Sequence, residues 1–423
     1  MAAVLDPPAP DAGWHTPVPP GHAAEALLSA QAVRRLSHAV LAAVQAGESA
    51  HWQWRPERLD AAADYVAGVI RERQPDLRVR FHARWRHFEA GGVDRLAALI
   101  EQAGLQGEAA CEERARMRID LVIPSVLLDA GAGPDWRCHD AATGQMLARS
   151  EGLGVASLAL FASGALSADP ARPLRSDAAA LMRLDAATLA RAFQVEAGNP
   201  LVGLEGRARL IARLGEVAAA TPAVFGTPAR LGHLFDALKA RADHGRLPVA
   251  TVLDVVLRAL GPAWPSRHAL DGVPLGDCWP CALAPGGWLP LHKLSQWLTY
   301  SLLEPLADGG LMLTGLDALT GLPEYRNGGL LIDLGLLVPR DEAWLHAVHT
   351  VDEPAVVEWR GVTVAALDGL ADAVRARLGV SADDFPLACV LEGGTWAAGR
   401  RIAAERRPGG GPPFALVSDG TVF

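Results

Sequence analysis

The chain has 423 residues, 50% of them hydrophobic and 21% charged, which excludes a disordered or collagen-like polymer and leaves ample length for a large core. Lys plus Arg number 39 against 48 Asp plus Glu, a formal net charge of −9. That balance argues against broad nucleic-acid binding and leaves room only for a local basic pocket that takes one small anion. The five cysteines are odd in number, and no basic-then-apolar leader opens the sequence, so a reducing cytoplasm is the expected setting.

Residues 1–20 read as a Pro-rich arm. From Ala23 the apolar period is helical, with Val33, Leu36, Val40 and Val44 on one face. Glu57 to Arg71 and Val93 to Gln102 repeat that pattern. Glu112 to Asp129 begins polar and Arg-rich and turns abruptly apolar. Gly152 to Ala168 is a mild apolar stretch, too short and too rich in small residues for a membrane span, so it reads as a buried helix. Asp185 to Phe193, Leu204 to Val217, Pro228 to Ala240 and Val249 to Leu260 read as further helices. Asp185 is placed as an N-cap, and Pro228 as a first-turn proline. Leu291 to Leu306 is expected to form a helix that enters through Pro290 and closes near Pro305. Leu311 to Leu313 and Ala355 to Trp359 are the best strand candidates. Val362 to Leu378 is amphipathic, and Ser381 to Phe385 turns into a last helical segment. There is no βαβ alternation, no GxGxxG or P-loop, and no fixed repeat. The expected fold is mainly α, with at most a small sheet, as one large helical domain over 21–423 that leaves room for two lobes.

Residue scarcity marks one window. Lysine stands only at 239 and 293, Asn only at 199 and 327, and Tyr at 65, 300 and 325. Four of these seven fall between 293 and 327, where amine, phenol and amide chemistry that Arg, Phe and Asp cannot supply is implied. At its start, His292, Gln296 and Tyr300 share one helical strip, and Lys293, Trp297 and Ser301 the next. Glu324, Tyr325, Arg326 and Asn327 follow each other between Gly321-Leu-Pro323 and Gly328-Gly329, which reads as a constrained loop, and Asp333 follows an apolar triplet. Upstream, Asp120 and Asp129 flank an apolar run broken only by Ser125. Each needs a partner there, and Arg118 is the candidate for Asp120. Glu392, ahead of Gly393-Gly394 and Trp396, is a further pocket candidate. Cys278-Trp-Pro-Cys281 is a lone CxxC without the second pair of a structural zinc site, so no metal is expected. No serine or cysteine sits in a nucleophile elbow.

The segments RIDLVIPSVLLDAGAGPDW, HKLSQWLTYSL, TGLPEYRNGGLLIDLG, EGGTWAAGR and the terminal SDGTVF resemble a family of uracil-catabolism proteins of the ribosylurea route of pyrimidine breakdown. That route implies a step that cuts ribose from urea. A narrower likeness joins Lys293-x-x-Gln296 and Glu324-Tyr325-Arg326 to the K-x-x-Q and D-Y-R signals of queuosine-salvage nucleotide glycosidases, which are helical and related to DNA glycosylases. Here Glu324 replaces the Asp.

Together these likenesses imply an N-ribosyl hydrolase that acts on a small ribosyl substrate; no cofactor or metal is expected, and the charge balance and hydropathy lead to the expectation of no nucleic-acid or membrane partner. Glu324 would stand beside C1′, with Asp333 or Asp120 as the second carboxylate. His292 and Gln296 would hold urea or ribose hydroxyls, Tyr300 would line the pocket, and Tyr325, Asn327 and Asp129 would also contact substrate. Arg326 and Lys293 would hold a 5′-phosphate if the substrate carries one. Lys293 also permits an imine route through attack on C1′. The rival classes are an amidohydrolase acting on the urea group and a non-catalytic pathway binding protein.

Overall fold

A computed structural model describes residues 18–264 and 268–417; most of the N-terminal arm and the terminal SDGTVF segment lie outside them. The structure is 57% helical and 9% strand, the mainly α architecture that the apolar periodicity predicts.

Among the helices are α1 (Ala30–Gln45), α2 (Leu59–Arg73), α3 (Trp85–Phe88), α4 (Cys111–Leu127), α5 (Arg149–Ala162), α6 (Leu204–Ala219), α7 (Val249–Leu260), α8 (Lys293–Asp308), α9 (Tyr325–Asp333), α10 (Pro354–Leu378) and α11 (Trp396–Arg406). Helix α8 packs along α4, α10 lies against α1 and α2, and α9 lies against α11. A continuous apolar core runs from Val18 to Phe414. The strands are short and pair two by two. Three of these pairs are Trp52–Trp54 with Leu337–Pro339, Arg246–Pro248 with Met312–Thr314, and Cys278–Pro280 with Trp288–Pro290.

Two central helices run straight through a proline. A proline has no N–H for the carbonyl four residues earlier. In α4, Pro124 frees the Asp120 carbonyl, and Ser176 Oγ donates to it at 2.6 Å. In α8, Pro305 frees the Ser301 carbonyl, and Trp85 Nε1 donates to it at 2.7 Å. The orphan acceptors are satisfied from outside, so α8 continues to Asp308 instead of closing near Pro305.

Other expectations change as well. Ala355 to Trp359 is the start of α10, buried on all sides, which removes the alternation that distinguishes a strand from a helix. Pro228 precedes a 3-10 turn at Leu231–His233 and is not in the first turn of a helix. The loop expected around residue 324 ends in α9, because Glu324 caps it. Asp185 is the N-cap that the sequence predicts, accepting from Thr188 N at 2.7 Å.

Gly328 and Gly399 allow α9 to sit deep. A Cβ on Gly328 would stand 2.4 Å from the Trp359 ring of α10, and one on Gly399 would stand 2.3 Å from the Arg326 carbonyl. Side chains at these two positions would push α9 off its neighbours.

Candidate active site

A cavity of about 330 Å³ lies where α3, α5, α8, α9 and α11 converge. Its wall includes His82, His87, Asp129, Arg149, Ser150, Glu151, Lys293, Trp297, Glu324, Tyr325, Arg326, Trp396 and Arg400. Five of the catalytic and substrate-binding candidates therefore meet in one space: Glu324, Tyr325, Arg326, Lys293 and Asp129.

Glu324 is fixed by its own helix. Its Oε1 accepts from Asn327 N at 2.8 Å and its Oε2 from Arg326 N at 2.9 Å. The carboxylate thus takes two of the amides that a helix start leaves unpaired, and each oxygen keeps a lone pair for the cavity. Asp129 is held differently. Arg84 reaches one of its oxygens and Ser150 Oγ donates to the other at 3.1 Å. Burial pushes the Asp129 carboxyl above the usual range, against the pull of Arg84 and Lys293. Lys293 enters the cavity in the field of both carboxylates, and no described residue ion-pairs with it. Burial lowers its pKa, opposed by Glu324 and Asp129.

Four rings form a box on the wall. Trp297 lies 6.4 Å from His82 and 5.9 Å from His87 between centroids, and Trp396 lies 5.8 Å and 6.3 Å from the same two rings. Burial, then the Arg84 charge, lowers the His87 pKa well below its ordinary value, so the imidazole is neutral. His82 Nδ1 is hydrogen-bonded to Glu392 at 2.7 Å, which places Glu392 behind the box.

The remaining sequence candidates do not line the cavity. Asp120 is fully buried and accepts from Arg230 Nε and from Gly232 N, each at 2.7 Å. Arg118 is not its partner, because residues two apart face different sides of a helix; Arg118 turns to Glu304 at 3.4 Å instead. Asp333 is paired with both terminal nitrogens of Arg407, at 2.7 and 2.6 Å. His292 has left-handed backbone (φ 45°) and donates through Nε2 to the Leu27 carbonyl at 2.9 Å. Gln296 clasps Thr320, donating to its Oγ1 at 2.6 Å and accepting from its N at 2.9 Å, while Tyr300 donates to the Thr320 carbonyl at 3.0 Å. Asn327 donates through Nδ2 to the Leu322 carbonyl at 3.1 Å.

These placements share a reason. Buried polar side chains must be paired; Gln296, Tyr300 and Asn327 spend their donors on the turn 320–324 that presents Glu324. The strip that faces the cavity is the one carrying Lys293 and Trp297.

Sequence reasoning did not find the segment His82 to His87 or the loop's staple, Arg207. Two histidines and two arginines within 82–87 were the available signal, and His82, Arg84 and His87 are all buried. Arg207 of α6 donates to the carbonyls of Ala130 at 2.7 Å and Gly131 at 2.8 Å, which fixes the Gly-rich loop after Asp129. Among the described residues, no three His, Cys, Asp or Glu side chains gather to hold a metal ion, and no helix is long and apolar enough to cross a membrane.

The family described as "Protein of unknown function (DUF1688)" matches residues 26–423. The chain belongs to this family. It is 38% identical over 415 residues to "Uracil catabolism protein 4" of Lachancea kluyveri, covering 89% of this chain and 93% of that protein. It is also 38% identical over 407 residues to "Protein urg3" of Schizosaccharomyces pombe, covering 94% of this chain and 98% of that protein. The resemblance to uracil-catabolism proteins read from the sequence is thereby borne out.

Proposed function

We propose that this protein is an enzyme of uracil breakdown that hydrolyses an N-ribosyl bond, releasing urea from a ribosylurea. The observation that carries the reading is the pairing of Glu324 and Asp129 in one cavity under opposite conditions. The name of the Lachancea relative supports the pathway.

Cleavage of an N-glycosidic bond builds positive charge at C1′ while the leaving nitrogen needs a proton. Glu324, pinned by two amides, is the carboxylate that faces C1′ and stabilises that charge or orients the attacking water. Asp129, with its pKa raised by burial, is the proton donor to the leaving nitrogen. Asp129 and not Asp333 or Asp120 is the second carboxylate, because the latter two are held by arginine pairs outside the cavity. The planar ureido group fits the box of Trp297, Trp396, His82 and His87, where flat faces and a neutral imidazole suit an uncharged π system.

A second reading is favoured by Lys293, whose amine is pushed toward its neutral, nucleophilic form and has no ion-pair partner among the described residues. Its Nζ would attack C1′, expel urea and form an imine that water then hydrolyses. Incubating the protein with ribosylurea and with its 5′-phosphate, and measuring free urea against an enzyme-free control, tests the reaction. No urea from either substrate defeats it. Borohydride trapping separates the two routes: a covalent adduct at Lys293, together with inactivity of Lys293→Arg, selects the imine, and an active Lys293→Arg excludes it.

A further inference from the structure

Two guanidinium groups line the cavity without a carboxylate partner among the described residues. The first is Arg326, only 5% exposed, whose Nη1 donates to the Gly410 carbonyl at 3.0 Å and whose plane lies 4.7 Å from the centre of the Tyr325 ring. The second is Arg149, the first residue of α5, whose Nη2 donates to the Gly409 carbonyl at 3.1 Å. Both therefore lean on consecutive carbonyls of one loop, with neutral acceptors only. The other arginines at the cavity differ. Arg400 is paired with Glu151 at 2.5 Å, and Arg84 lies behind the wall and does not line the cavity. Arg326 is thus a buried guanidinium without a counter-charge, which is unfavourable and which a bound anion resolves.

Three further facts point to the same end of the cavity. The backbone of Arg149 is left-handed (φ 54°), a region that an arginine occupies only when its surroundings require it. Helix α5 starts without a side-chain cap, and its first three residues, Arg149, Ser150 and Glu151, all line the cavity, so the positive end of the helix faces it. The Tyr325 phenol feels the charges of both arginines.

We propose that Arg149 and Arg326 form an anion subsite for a phosphate monoester, so that the substrate is a 5′-phosphorylated riboside. A planar carboxylate is satisfied by one bidentate fork, whereas two guanidiniums, a phenol and a helix start surround a tetrahedral dianion. Lys293, in the field of Glu324 and Asp129, belongs to the reacting end and not to the phosphate. The identity of the sugar rests on the N-ribosidase reading; the anion subsite does not.

Calorimetric titration of the full chain with ribose 5-phosphate, ribose and inorganic phosphate tests this without turnover. Ribose 5-phosphate is expected to bind at least about 10-fold more tightly than ribose, and inorganic phosphate to compete with it. Arg149→Ala and Arg326→Gln should each reduce that preference by roughly 10-fold and leave ribose binding unchanged. Arg149 is exposed, so its variant carries the test alone if Arg326→Gln fails to fold. Equal affinity for the two sugars, a preference intact in Arg149→Ala, or no binding of ribose 5-phosphate overturns the subsite. Urea release with equal kcat/KM from phosphorylated and free ribosylurea also overturns it while the reaction stands. A phosphate preference without urea release defeats the reaction and leaves the subsite.

Discussion

Glu324 and Asp129 are both carboxylates, yet their surroundings are opposite. Glu324 meets backbone N–H groups; Asp129 meets a buried arginine and a hydroxyl inside a low-dielectric wall. If Asp129 donates the proton, kcat/KM falls as pH rises through its raised pKa, because only the protonated form is competent. Asp129→Asn should lose that alkaline limb and run about 10²-fold or more slower, measured as urea release across pH. Glu324→Gln keeps the shape but removes the charge. It should cost on the order of 10²-fold in kcat, and about 1 kcal/mol of stability because an amide caps α9 less well than a carboxylate does. A rate loss in Glu324→Gln matched by a collapsed melting temperature would assign the residue to the cap alone.

At the scale of elements, the site depends on how closely α9 approaches α10 and α11. Gly399 sits against the Arg326 carbonyl, so the α11 face that carries Trp396 and Arg400 meets the turn that carries Glu324. Gly399→Ala places a methyl group where backbone already stands. It should destabilise the fold by about 1–3 kcal/mol and weaken ribose 5-phosphate binding, read by thermal melting and calorimetry. A short π-helical stretch, Val390–Thr395, precedes α11. Such local unwinding often re-aims side chains at functional sites, and here it leads directly into Trp396.

At the scale of the molecule, Asp277 ties three distant segments together. It accepts from both terminal nitrogens of Arg360 in α10 at 2.8 Å, from Trp279 Nε1 at 2.6 Å, and from the backbone N of Lys293 at 2.9 Å. Burial alone would raise its pKa, but Arg360 and these hydrogen bonds outweigh burial and bring it down to about 2. A depressed carboxylate contributes stability that is fully present above its unfolded pKa of 3.8 and is lost as pH falls through about 2. That contribution is about 2 kcal/mol. Asp277→Asn leaves Arg360 buried without this charge, so it should cost about 3–5 kcal/mol at neutral pH and flatten stability between pH 4 and 2. Denaturant unfolding at several pH values checks both parts; an unchanged acid dependence would count against the assignment.

Much of the helical architecture was legible because apolar residues recur at helical spacing in α1, α2, α6 and α7, and the Lys293–Asn327 window was legible because rare residue types concentrate there. Those signals are local, and so was the resemblance carried by contiguous motifs. What the linear chain did not contain was direction. His292, Gln296 and Tyr300 share a strip with the right chemistry, but tertiary packing turned it toward Leu27 and Thr320 and turned Lys293 and Trp297 toward the cavity. Asp120 and Asp333 found arginines at 230 and 407, far along the sequence, and Asp129 acquired its raised pKa from burial, against the pull of Arg84. Sequence by itself determined which chemical groups were present and which segments were helical. Only the tertiary structure decided which charges were neutralised and which were left facing the cavity, because pairing and desolvation act through space between residues that the chain keeps apart.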